Sequence, residues 1–408
     1  MRVRGLVGIG YTWKVPEATR GALPSRVVIA PNAFKGTLAG ADAARAIGEG
    51  VRRAWPGATC RAIPLADGGD GFLDTLLGRP GSDQLTLEVA GPLLEPVLAR
   101  VGWLGAATGL VAAVELAGSC GLNLLDHPSS DTAASASTRG LGELILAALE
   151  HRATRVVIGL GGSASTDGGA GLVQALGFRL LNREGDPIGA GGRGLVELDR
   201  IDVSAASPLL HDAEFVAACD VDSPLLGPLG AAVTFGPQKG ADRHTVALLE
   251  RGLERLVRVV DRDLPTRALE STPGMGAAGG TAFGLAAFVG ARLESGVSLV
   301  ASYLDLDRAL EDAEVVITGE GRFDRASLSG KVTGEVLRRC AVRQVPCLVL
   351  TGSTDREAEA SARRLGGRVV LTSPGRGHRG ALTHQVAFAE LKAAAERACQ
   401  QWRAPASG

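Results

Sequence analysis

The chain has 408 residues, 45% of them hydrophobic, and its 43 basic and 44 acidic side chains leave a net charge of −1. That length suffices for two domains with cores of their own, and the balanced charge without Lys/Arg runs argues against a nucleic-acid or membrane-surface partner. Aromatic residues make up 4% of the chain, too few for base-stacking platforms, and no apolar run reaches the ~18 residues that a spanning helix needs.

Residues 1–25 carry a short apolar run stopped by Lys14 and Pro16 and lack an Ala-x-Ala cleavage site, so they read as a loose N-terminal extension. From Arg26 the sequence predicts a strand, a loop holding Asn32 and Lys35, and an amphipathic helix to Trp55. A second strand at 59–65 ends in a turn of glycines with Asp67 and Asp70, followed by a helix at 72–77. Strand–loop–helix units of this kind build a parallel sheet and set functional groups at the carboxyl ends of its strands.

The rhythm then changes. Residues 84–89, 96–103 and 110–116 are three short strands at hairpin spacing, split by Gly91-Pro92 and the glycine-rich turn 105–109. A helix at 141–150 precedes a β-branched strand at 156–158, which breaks into Gly159, Gly161, Gly162, Ser163, Ser165, Thr166 and Asp167. Such a strand, glycine turn and helix start turn backbone N–H groups toward an anion such as a phosphate. The rival reading is a tight connection whose glycines only relieve steric strain. Next come a hairpin at 184–187, a strand at 215–219 ending in Asp220 and Asp222, and a loop-rich stretch at 227–240 with Lys239. A helix at 242–261 and a second glycine loop at 273–280 follow.

Strands at 314–318, 346–351 and 368–372 then alternate with helices, the last at 382–402. The chain therefore reads as α/β. A discontinuous doubly wound parallel-sheet domain (26–83 and 302–400) receives an inserted second α/β domain containing antiparallel strands (84–301), and the ligand cleft is expected where the two meet.

Only five of the basic residues are lysines, and Lys35, Lys239 and Lys331 stand beside glycines in motif-like turns. A compact ammonium suits a tight phosphate site better than a planar guanidinium does. Strand ends also carry Asp67/Asp70, Asp167, Asp220/Asp222 and Glu320/Asp324. Carboxylates so placed hold Mg²⁺ or deprotonate a hydroxyl, though any one of them alone serves equally as a turn former or helix cap. Together with Arg139 and Arg322 they are the parts of phosphoryl transfer. No Walker sequence is present, because residues 329–333 lack the leading Gly and a hydroxyl directly after Lys331. Gly159-x-Gly161-x-x-Ala164 fits the dinucleotide fingerprint, but Asp167 and three hydroxyls would crowd a pyrophosphate, and Glu184 falls in a hairpin turn. An NAD-dependent hydroxy-acid dehydrogenase and a non-catalytic small-molecule binding protein are the competing functions. The six cysteines form no C-x-x-C pair and read as free thiols of a reducing cytoplasm, and His127, His211, His244, His378 and His384 show no ligand spacing.

Nine stretches in order resemble the bacterial glycerate kinase family: APNAFKGTL (30–38), PLADGGDG (64–71), STRGLGELI (137–145), GLGGSASTDGGAGLVQALG (159–177), ACDVDSPLLG (218–227), FGPQKGA (235–241), PGMGAAGG (273–280), VVITGEGRFD (315–324) and SLSGKV (327–332). The resemblance implies two α/β domains around one active site, ATP and Mg²⁺ as cofactors, D-glycerate as substrate, and a phosphoglycerate carrying its phosphate at C2 or C3. On that reading Asp67 accepts the substrate hydroxyl proton, while Lys35 and Arg322 pair with the glycerate carboxylate or the moving phosphoryl group. Gly161, Gly162, Ser163, Asp167 and Lys239 bind the nucleotide's phosphates, and Asp220 and Glu320 hold Mg²⁺. The chain departs from the family pattern at Asn32 (usually Asp), Asp70 (Glu), Thr166 (Asn) and Ser223 (Asn). Asn32 cannot act as a base or strong metal ligand, which leaves that role to Asp67 or Asp220.

Overall fold

The computed structural model describes residues 23–69, 71–105, 110–266, 269–328, 330–373 and 382–402. Most of the N-terminal extension, Asp70, most of the turn at 105–109, Ser329 and His378 lie outside the described residues.

In chain order the strands are β1 (Arg26–Ile29), β2 (Thr59–Ala62), β3 (Asp83–Ala90), β4 (Pro96–Leu104), β5 (Val111–Glu115), β6 (Arg155–Gly159) and β7 (Arg179–Leu181). They continue as β8 (Arg200–Asp202), β9 (Glu214–Ala218), β10 (Arg292–Glu294), β11 (Val315–Phe323), β12 (Cys347–Thr354) and β13 (Gly367–Leu371). Two compact units result, one formed by Asp67–Leu299 and the other by the chain on either side of it.

In the flanking unit five strands pair in the order β13-β12-β11-β1-β2, parallel throughout. Counted within the unit this is 2-1-3-4-5, so the winding reverses between β1 and β11, where open α/β sheets offer a ligand crevice. The apolar runs Val27–Ile29 and Val315–Ile317 suit strands covered on both faces. One cover is the helix pair Gly40–Ala54 and His384–Gln400, whose Ile47, Val51, Leu391 and Ala395 share a core with Val27, Ile29, Ile317 and Leu350. The pair crosses at Gly50, where a Cβ would lie 2.3 Å from the Lys392 carbonyl oxygen. The helices Val332–Arg343 and Arg356–Arg364 connect β11 to β12 and β12 to β13, and the right-handed rule for such crossovers places them on the opposite face.

In the second unit six strands run in the order β10-β9-β6-β5-β4-β3. The β3–β4 and β4–β5 pairs are antiparallel, and those from β5 to β10 are parallel. The core joins Val101, Val114, Val156, Ile158 and Phe215 to the helices Arg139–Glu150, Arg243–Asp263 and Ala277–Val289. β7 and β8 form a separate antiparallel pair. The hairpin expected at 184–187 is present: Asn182 donates to the Asp186 carbonyl at 2.8 Å, Ile188 donates to the Leu180 carbonyl at 3.0 Å, and Leu181 bridges antiparallel to Pro187.

One boundary differs from the sequence reading, which kept residues up to 83 with the first domain and resumed it at 302. The division falls before Asp67 and after Leu299. The physical reason is the helix Phe72–Leu77, which buries Phe72, Leu73 and Leu76 and packs on β4 and β5. The fit is close: a Cβ on Gly102 of β4 would meet Leu73 at 2.6 Å. Among the described residues no helix is long and apolar enough to cross a membrane. All six cysteines are free thiols, and four of them are buried.

Candidate active site

In the second unit the loop after β6 is built against the turn after β2. Gly161 donates its N–H to the Gly68 carbonyl at 2.9 Å. A Cβ on Gly161 would sit 2.2 Å from the Gly69 Cα, and one on Gly159 would sit 3.0 Å from the Gly68 oxygen. Here the steric reading holds: these two positions are glycine because another backbone touches them. Gly162 has φ +72°, and its carbonyl accepts from Leu122 at 2.8 Å. Ser163 is buried, and its Oγ accepts from the Ser165 N–H at 3.1 Å and lies 3.1 Å from the Ser165 Oγ. That hydroxyl closes its own loop.

Asp167 and Lys239 support this loop from within, where the sequence reading had assigned both to the nucleotide. Asp167 is 0% exposed, and its Oδ2 accepts from the Thr138 N–H at 2.9 Å, the Thr138 hydroxyl at 2.8 Å and the Gly171 N–H at 3.1 Å. Its Oδ1 accepts from Gly169 at 3.1 Å. Four donors satisfy one buried carboxylate, which ties the start of the helix Ala170–Ala175 to the segment before Arg139. Lys239 is 2% exposed, and its Nζ donates to the Ser165 carbonyl. Burial pulls its pKa down to about 8, while the neighbouring Cys120 and Asp167 pull the other way. The Cys120 thiol is itself pushed up to about 12 by burial. The second glycine stretch packs onto the same loop: Gly168 donates to Gly279 at 3.1 Å, and a Cβ on Gly279 would be 2.1 Å from the Ser165 oxygen. Ala278 there holds φ +52°, a strained value for a non-glycine residue.

Asp67 and Asp220 come together beside this loop. Asp220, just past β9, accepts from the Gly296 N–H at 3.1 Å and the Val297 N–H at 3.2 Å. Burial raises its pKa to about 6, helped by the like charge of Asp67 and opposed by Ser295 and the two N–H donors. Asp67 is half-buried, and its Oδ1 accepts a long 3.3 Å bond from Gly69. Gly296 separates the acids, since a Cβ there would lie 2.6 Å from the Asp67 carbonyl oxygen and 2.9 Å from the Asp220 Oδ2.

In the flanking unit the reversal between β1 and β11 gathers Asn32, Lys35, Glu320 and Arg322. Asn32 is buried, donates its N–H to the Gly319 carbonyl at 2.9 Å, and accepts from Ala33 on its Oδ1 at 2.8 Å. Its amide is thus used to shape the turn. Glu320 is 8% exposed, and its Oε1 is buried with no hydrogen-bond partner. Burial raises the Glu320 pKa, while the Thr333 and Ser327 hydroxyls and the Lys331 ammonium lower it. Lys35 is exposed on the loop after β1, with its backbone N 3.8 Å from where a Gly321 Cβ would stand. Arg322 is exposed and pairs with Asp324 at 3.1 Å.

Sequence reasoning missed three partners. Thr138, which satisfies half of Asp167, lies inside the STRG stretch, where only Arg139 had been singled out. The hydroxyls of Ser327 and Thr333 flank Glu320 from the family-like SLSGKV stretch and the residue after it, where only Lys331 stands out in the sequence. As for a metal, no group of three or more His, Cys, Asp or Glu side chains able to hold an ion occurs among the described residues. Mg²⁺ however needs only one or two carboxylates beside a substrate's phosphates. The orphaned Oε1 of Glu320 and the like-charged Asp67–Asp220 pair both fit that chemistry.

The family model described as the Glycerate kinase family matches residues 27–403. The glycerate kinase of Halalkalibacterium halodurans is 40% identical over 334 residues, which are 82% of this chain and 87% of that protein. The glycerate 2-kinase of Escherichia coli K12 is 41% identical over 328 residues, 80% of this chain and 85% of that one. A crystal structure from Salmonella typhimurium LT2, provisionally named glycerate kinase 2, matches with a TM-score of 0.80 at 36% identity, over 92% of this chain and 97% of its own. The chain belongs to the glycerate kinase family and is an ATP-dependent kinase.

Proposed function

We propose that the protein transfers the γ-phosphoryl group of ATP to the C2 hydroxyl of D-glycerate, giving ADP and 2-phosphoglycerate. Family membership supports the substrate, and the name of the E. coli relative, a glycerate 2-kinase, supports the position. The observation that carries the reading is Glu320: a buried carboxylate oxygen without a partner, at the reversal point of a doubly wound sheet, in a chain of this family. Glu320 in the flanking unit and Asp220 in the inserted one are each proposed as a carboxylate able to serve Mg²⁺, which would supply positive charge to the phosphate oxygens of ATP. Asp67 takes the proton of the attacking hydroxyl, since the bond its half-buried carboxylate accepts from the Gly69 N–H is long, at 3.3 Å. Lys35 and Arg322 counter the charge of the substrate carboxylate or of the moving phosphoryl group. The Gly161 N–H and the Ser163 hydroxyl are already engaged, so phosphate recognition in that loop falls to the N–H groups of Gly162 and Ser163. The dehydrogenase alternative has no support left, because its fingerprint glycines close onto the turn at 68–69. The free thiols suit a reducing cytoplasm.

Release of ADP with and without D-glycerate, followed by phosphorus NMR of the product, tests the reading. Dependence on glycerate and a C2 ester are expected; a C3 ester or glycerate-independent release overturns it. Asp67→Asn should lower turnover by about 10²–10⁴-fold with ATP binding retained, as for a general base. Near-normal turnover would exclude Asp67 from that role.

A further inference from the structure

A second concavity of about 360 Å³ lies in the second unit, walled by Arg139 and by the chain around β7. Its floor is apolar and rigid: Leu180 is 0%, Ile188 5% and Phe178 7% exposed, and the Phe178 ring stacks edge-on against Phe288 at 5.2 Å. Its polar groups are few, chiefly the Gln174 amide and the guanidinium groups of Arg139 and Arg179. Both guanidinium groups already have acid partners, Arg139 with Glu143 at 3.1 Å and Arg179 with Asp202 at 3.2 Å. The pocket is therefore close to neutral and suits an uncharged, flat, polar-edged ligand better than a phosphate or carboxylate. Its volume falls at the lower end of the roughly 300–1,000 Å³ typical of small-molecule sites, which are mostly apolar with a few placed polar groups.

The pocket's Ser137 and Arg139 stand on either side of Thr138, which is bonded to Asp167 at the end of the phosphate loop. Gly171 packs so closely on the pocket's edge that a Cβ there would meet the Ser137 Oγ at 2.1 Å and the Arg139 N at 2.7 Å. Thr138, between those two residues, is clamped by Asp167. We infer that this pocket takes the base and ribose of the nucleotide, with the Gln174 amide reading the edge of the heterocycle. The inference rests on the kinase reading above and adds a subsite to it.

Titration calorimetry with adenosine, which carries no phosphate, tests the pocket apart from catalysis. Steady-state kinetics of the full chain then separates the KM for ATP from the KM for D-glycerate. Gln174→Trp fills the space; Leu94→Trp, from the exposed rim, fills it without touching the helix, should the first variant fold poorly by circular dichroism. Expected are adenosine binding by the natural chain that competes with ATP, its loss in the folded Trp variant, and a KM for ATP raised at least tenfold with the KM for D-glycerate unchanged. Absent adenosine binding, adenosine binding untouched by the Trp side chain, or a rise in the glycerate KM alone would each overturn the assignment. A natural chain that binds adenosine at this site yet does not phosphorylate glycerate would instead sink the proposed function and leave the pocket standing.

Discussion

Lys239→Met removes a buried ammonium while keeping most of the side chain's length, and its consequence for stability follows from the site. Burial lowers the Lys239 pKa from the usual 10.5 to about 8. At about 1.4 kcal/mol per pH unit that shift corresponds to about 3 kcal/mol, the cost of holding the charge in the fold at neutral pH. Below pH 8 both folded and unfolded chains carry the proton, and the penalty is present in full. Between pH 8 and 10.5 the unfolded chain binds more proton than the folded one, so this residue makes the natural protein more stable as pH rises. The Met variant has no such titration. Its stability relative to the natural chain should therefore fall by about 3 kcal/mol across that interval, starting near parity at pH 7, where the lost bond to the Ser165 carbonyl offsets the relieved desolvation. Urea unfolding at several pH values from 7 to 10 measures the difference, in which titrations common to both proteins cancel. A difference constant to within about 0.5 kcal/mol, comparable to extrapolation error, would refute the argument.

Asp167→Asn turns an amide N–H₂ toward donors that now meet a carboxylate, and should cost about 3–5 kcal/mol, the range for breaking a buried charged network. The melting temperature should then drop on the order of 10 °C; an unchanged melt with a raised KM for ATP would return Asp167 to the ligand. Gly161→Ala places a methyl 2.2 Å from the Gly69 Cα and should destabilise by about 1–3 kcal/mol in denaturant unfolding; a neutral outcome would mean the two turns do not touch. Glu320→Gln keeps the shape and removes the charge, so the Mg²⁺ concentration for half-maximal velocity should rise at least tenfold. An unaltered Mg²⁺ dependence would take Glu320 out of the metal site.

The doubly wound unit was legible because its strands are short apolar runs between glycine turns; its reversal between β1 and β11 is a matter of strand order, which the runs do not state. The three antiparallel-spaced strands were legible for the same reason. The unit boundary was not: the helix Phe72–Leu77 looks alike on any sheet, and only the notch at Gly102 commits it to β4. The roles of Asp167 and Lys239 were also hidden. An acid beside glycines reads the same whether it faces solvent or accepts from Thr138, which stands 29 residues away. A lysine in a glycine turn likewise does not declare that its ammonium points inward. Glu320 was found as a strand-end acid; its unpartnered oxygen is a property of packing alone.

The pairing of Val27 with Val315 has a consequence for synthesis. When β1 and β2 leave the ribosome, the strand that must sit beside β1 has not been made, and a two-stranded ribbon cannot hold itself together in water. The inserted unit has every one of its strands by Glu294 and can complete first. The sheet that carries Glu320 closes only at the end of translation, through contacts of very long sequence separation, the kind that form slowly. A product truncated before β11 would leave the apolar edge of β1 uncovered, open to aggregation or proteolysis.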